Sequence, residues 1–165
     1  MPEKQTIERA RKDAAEGKAP STQAGEFVRE EIEHIRAGKH GARSPKQAIA
    51  IGLSKARRAG VKLPPPRRGT TSRSTRRQAQ RDLSRGNRRR KSSARRGRAV
   101  LNALRHEPRS SGSRRALAAQ AHGAAMRRSA GDRSAAAKKA SRTKGPGRRR
   151  AAARKATRTR KSRAR

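Results

Sequence analysis

Glu31 and His34 stand three residues apart in the segment EEIEHIR, so on a helix both project from one face. An E-x-x-H pair of this kind is how carboxylate di-metal bundles hold their ions, each ion drawing a histidine nitrogen and carboxylate oxygens from facing helices. Such a centre takes a second pair and further glutamates, and the sequence contains one copy. The expectation is therefore a solvated helix face and no metal. His40, His106 and His122 have no neighbours at ligand spacing, and the absence of cysteine removes thiolate zinc, disulfides and thiol catalysis. Gly38, Gly41, Arg43 and Ser44 echo a phosphate loop, but the spacing fails G-x-x-x-x-G-K-[ST] and no strand precedes it. Acids are nearly confined to the first helical segments, so no nucleophile, base and orienting acid assemble. No catalytic residue and no cofactor are expected.

The chemistry present in quantity is cationic. Lys and Arg number 49 against 11 Asp and Glu, a formal net charge of +38 in 165 residues. Residues 1–65 hold 14 basic and 8 acidic side chains, whereas residues 66–165 hold 35 and 3, so the second part carries +32. Phosphate neutralisation is what such a distribution does best. The candidate nucleic-acid contacts are Arg88, Arg89, Arg90, Lys91, Arg95, Arg96, Lys138, Lys139, Arg142, Lys144, Arg148, Arg149, Arg150, Arg154, Lys155, Arg158, Arg160 and Lys161. One Phe with no Tyr or Trp leaves no stacking platform for bases, which argues against reading single strands or sequence.

The elements that must carry these groups divide the chain into residues 1–63, a small helical module; residues 64–66, a Pro linker; and residues 67–165, a basic low-complexity tail. TIERARKDAAEG reads as a first helix stopped by Gly17. Residues 22–37 read as a second, with Ala24, Val28, Ile32 and Ile35 recurring at helical spacing. The third has Ser44 as N-cap, Pro45 at the first position, Gln47 completing an S-x-x-Q box, and Gly60 followed by Val61 as C-terminal cap. Helices two and three form a helical hairpin. A helix-turn-helix, with Lys46, Gln47, Ser54, Lys55 and Arg58 toward DNA, is the alternative, although the loop 38–43 exceeds the usual turn. The stripe Val28, Ile32, Ile35, Ile49 and Leu53 is taken as an interaction face for a second copy or a protein partner through residues 22–60, because the tail offers few large residues to cover it.

Leu, Ile, Val and Phe number 15 in the whole chain, and ten of them precede residue 64. The predicted fold class is mostly α: a small N-terminal helical module with a long intrinsically disordered tail. A short amphipathic piece, RAVLNALRH at 98–106, and a repeat are the tail's organised features. AAAKKASRTK at 135–144 matches AAARKATRTR at 151–160 at an offset of 16, with GPGRRR between them as a helix-breaking hinge. Alanine supplies helix propensity there, so these segments are expected to fold on binding an anion.

PKQAIAIGLSKARRAG at 45–60, preceded by GEFVREEIEHIRAGKHG, resembles a bacterial family of small basic proteins of unknown function whose members carry a K-Q-A-I-A-I-G-L-S-x-A-R block. The block is Lys46 to Arg57 here, and the resemblance covers about a quarter of the chain. It implies a helical module and a bacterial setting, with no activity to carry over. The Ala/Arg/Lys tail is similar in composition to bacterial histone H1-like proteins. No apolar run reaches membrane-span length and the start has no apolar signal core, so a cytoplasmic, nucleoid location is expected. Together these features predict a DNA-binding, histone H1-like protein that compacts double-stranded DNA without reading sequence. An RNA- or ribosome-associated basic protein, or an adaptor working through the hairpin, are the alternatives.

Overall fold

A computed structural model describes residues 2–86 and 93–163, without the side chains of 143, 144, 148 and 163. Its elements are α1 (Lys4–Ala15), α2 (Pro20–Arg36), α3 (Pro45–Arg58), α4 (Arg73–Ser84), α5 (Ala94–Arg105), a 3-10 turn (Arg109–Gly112), α6 (Arg114–Met126) and α7 (Ala130–Arg163). The chain divides into two compact units, residues 1–120 and 121–165.

In the first unit α2 is central, with α3 packed along it and α1 beside it. Phe27 is the largest apolar side chain fully buried and joins Ala10, Ala24, Ala56 and Val61, with Ile7, Leu53, Ala59 and Leu63 packed around them. Ile35, Ala42 and Ala48 form a second small cluster. Alanines fill so much of this interior that the helix axes must approach closely. Gly52 on α3 permits it, since a Cβ there would lie 2.6 Å from the Val28 Cα.

The local signals of α3 appear, with the Gln47 contact displaced by one residue. Ser44 Oγ accepts from the Gln47 amide at 3.3 Å, and Pro45 occupies the first helical position. The Gln47 side chain reaches back to the amide of Arg43 at 2.8 Å rather than to that of Ser44. At the far end Gly60 takes φ 97°, the Val61 amide donates to the Ala56 carbonyl and the Gly60 amide to that of Arg57, which is a Schellman closure. Arg57, buried, then donates to the carbonyls of Leu63 and Pro64, tying the Pro segment to the module.

The expected long disordered tail is contradicted. Beyond residue 66 the described chain is mostly helix. Composition weighs net charge against hydrophobicity, whereas helix formation here rests on Ala and Arg propensity and on caps spaced along the segment. Ser72 Oγ accepts from the Thr75 amide, Ser113 Oγ from that of Ala116 and Ser129 Oγ from that of Asp132. Thr157 and Thr159 hydroxyls donate to carbonyls four residues earlier, so they add no competing acceptor demand.

The same part of the chain also closes the module. Asp82 of α4 accepts from Ser54 and, at 3.1 Å, from Gln78, while Ala79 is buried beside α3. The amide of Gly41 donates to the Leu104 carbonyl and that of Ala42 to the Pro108 carbonyl. Arg36 donates to the Gly112 carbonyl at 2.8 Å, and a Cβ on Gly112 would meet Ile35 Cγ2 at 2.8 Å. A glycine backbone therefore covers Ile35, where the sequence suggested nothing large enough to do so. The amphipathic piece is longer than expected, and Val100 and Leu101 stay exposed on α5.

In the second unit, α7 is helical except at Gly145, which takes φ 65° and ψ 167° ahead of Pro146. The GPGRRR hinge thus falls where expected, between the two repeat copies.

Candidate functional site

Among the described residues, two kinds of side-chain grouping could carry chemistry, one cationic and one metal-like. The cations lie on α5 in the first unit and, separately, on α7 in the second. Arg95 and Arg96 on α5 are exposed, as are Lys138, Lys139, Arg142, Arg149, Arg150, Arg154, Lys155, Arg158, Arg160 and Lys161 on α7. Arg149 folds back to donate to the Gly145 carbonyl and to Ser141 Oγ, so this cation also braces the kink. Arg88, Arg89, Arg90 and Lys91 lie outside the described residues, as do the side chains of Lys144 and Arg148. The repeat copies are helical stretches with basic side chains distributed around them rather than along one stripe.

The major-groove alternative for α3 loses two of its five polar residues. Lys55 Nζ turns inward to the Glu31 carboxylate at 2.6 Å, and Ser54 binds Asp82. Of the proposed interaction face, Ile35 is buried under Gly112 and Leu53 packs against the main core cluster, while Val28, Ile32 and Ile49 are half-buried.

The second assembly was not legible from spacing. Glu31 does not lie on a solvated face: it is 1% exposed, and Glu30 beside it is 2% exposed. The reason is that α3 and the loop 38–43 close over this end of α2. Gly38 takes φ 75°, reversing the chain so that His40, itself buried, returns above its own helix. Glu31, His34 and His40 thereby place one ligand atom each within 4.8 Å of one another. The expectation that His40 lacks ligand partners is corrected by that turn.

The hydrogen bonds around this cluster orient both imidazoles. His34 Nε2 lies 2.8 Å from Glu3 Oε1 and His40 Nδ1 3.0 Å from the Gly41 carbonyl. A carboxylate and a carbonyl only accept, so those nitrogens carry the hydrogens. His34 beside Glu3, and next Lys39 at 3.2 Å, hold the Glu3 carboxyl below the usual carboxylate range. Glu3 in turn ties α1 to α2, its amide donating to Glu30 Oε2. Lys55 sits between the two buried carboxylates, close to Glu31 Oε2 and 3.5 Å from Glu30 Oε1. Neither Glu31 oxygen receives a well-directed hydrogen bond, and Oε1 faces His40 Nε2 at 3.4 Å. The signals that would have found this set are the adjacency of Glu30 and Glu31 on a helix whose other face is apolar, and a glycine that turns His40 back.

Among the described residues, no helix is long and apolar enough to cross a membrane. No curated protein and no solved structure matches the chain. Residues 4–67, which hold α1 to α3, the histidine cluster and the segment from Lys46 to Arg57, match the model of a family of unknown function, DUF6496.

Proposed function

We propose that this protein binds double-stranded DNA without reading sequence and compacts it by charge neutralisation, in the manner of bacterial histone H1-like proteins of the nucleoid. The observation that carries this reading is α7, which holds 14 basic residues against the single acid Asp132. At about 1.5 Å per residue its 34 residues run roughly 50 Å along two segments. Duplex DNA carries one charge per ~1.7 Å, so a contour of that length faces about 30 phosphates. Each cation of α7 therefore has a partner available. The contacts come from preformed helices with a hinge at Gly145, so the protein pays little ordering entropy on binding.

If ten phosphate contacts form, log K falls with log salt at a slope of about −9. Replacing the ten exposed Lys and Arg side chains of α7 named above by Gln in the full chain is expected to remove most of that slope and to weaken DNA binding at 150 mM salt by more than about tenfold. A variant retaining the parent's affinity and slope would place binding elsewhere. Gel shifts of duplex DNA against structured RNA at the same salt separate the alternative, since preference for RNA would make this an RNA-associated protein.

A further inference from the structure

We infer that Glu31, His34 and His40 form a binding site for one divalent transition-metal ion of the zinc type. The proposal is independent of DNA binding and rests on residues of the first unit.

The central fact is the pair Glu31 Oε1 and His40 Nε2. With Nδ1 turned to the Gly41 carbonyl, His40 directs Nε2 at a buried carboxylate oxygen 3.4 Å away which receives no hydrogen bond. A proton or a metal ion between these two atoms would satisfy both, and a third ligand atom close by favours the metal. Zinc bonds of about 2.0–2.1 Å in tetrahedral geometry separate neighbouring ligand atoms by about 3.3 Å, close to the observed spacing. His34 supplies the third ligand atom, within 4.8 Å of the others.

The surroundings are those of a metal-ligating set. Histidine ligands are commonly oriented by a carboxylate or a backbone carbonyl on the other ring nitrogen. Glu3 does this for His34 and the Gly41 carbonyl for His40. Lys55 holds Glu31 Oε2, which leaves Oε1 as the coordinating oxygen. Glu30 and Glu31 face a single lysine, Lys55, so a divalent ion would meet carboxylate oxygen that the lysine alone leaves in excess. Two imidazoles and a single carboxylate favour zinc, cobalt or nickel over magnesium or calcium, which take mostly oxygen ligands. Three protein ligands leave one position for water.

The test uses the full chain stripped by chelator and titrated with Zn2+ and with Co2+. One equivalent is expected to bind saturably, with a visible Co2+ absorption of low-coordinate type, and Zn2+ should raise the melting temperature. His40→Gln and His34→Gln should each weaken binding by more than about 100-fold, whereas His122→Gln should leave it unchanged. In the unsubstituted protein, Zn2+ should shift the ring NMR signals of His34 and His40 and leave those of His106 and His122 in place, a readout that holds even if a variant unfolds. Absence of saturable binding overturns the proposal, and so does binding that shifts neither His34 nor His40.

Discussion

Two glycines of the hairpin are chemically identical and structurally opposite. A methyl group on Gly25, in the middle of α2, would meet nothing within 4 Å, whereas one on Gly52 would press on the Val28 backbone. Gly25→Ala is therefore expected to stabilise the module by about 0.5–1 kcal/mol, through helix propensity and a less disordered unfolded state. Gly52→Ala gains the same propensity but forces α2 and α3 apart, and overpacking of 1–3 kcal/mol outweighs it. Urea denaturation of the two variants should show shifts of opposite sign. At the cap, Ser44→Ala should cost about 1 kcal/mol, since the Gln47 amide then loses its side-chain acceptor.

Among the elements, α4 meets α3 through the Ser54 hydroxyl donating to Asp82, whose carboxylate Gln78 of α4 also braces, and through the small side chain of Ala79. Asp82→Ala leaves Ser54 and Gln78 without that acceptor, at about 1–3 kcal/mol. Because α1 to α3 keep their own apolar cluster, the loss should appear locally: amide exchange in α4 accelerates while that in α2 is little changed. Leu53 makes the reverse case. The apolar stripe alone suggests that Leu53→Asp would break an association between copies, yet Leu53 packs against the core cluster that holds Phe27. The charge enters the module's own core, so a loss of roughly 2–4 kcal/mol in thermal or urea unfolding is expected, whatever the protein's oligomeric state.

For the whole molecule, charge and folding are arranged in tension. The part beyond residue 66 carries +32 and also supplies the backbone that covers Ile35 and the carboxylate that anchors α4. Removing residues 67–165 should therefore do more than abolish the proposed DNA binding; it should lower the melting temperature of what remains. A truncated chain with an unchanged melting temperature would show that these contacts add no stability. Salt should act on the two properties in opposite directions, weakening the proposed hold on DNA by competing for phosphate while screening repulsion among the cationic side chains.

What the sequence by itself determined is what short-range rules govern. Ser44, Pro45, Gln47 and Gly60 mark the ends of α3 because caps join residues only a few positions apart. The three N-terminal helices, the kink after the first repeat and the concentration of positive charge were legible for the same reason. Disorder was inferred from composition, and it failed because composition averages over a segment while Ser72, Ser113 and Ser129 act at single turns. Only the tertiary structure decided that Gly112 covers Ile35, 77 positions away, since a glycine has no side chain whose pattern announces burial. It also decided that Glu31 is buried and that His40 faces it. That outcome depends on the path of the loop after Gly38 and on how closely Gly52 lets α3 approach α2, distances that no periodicity records.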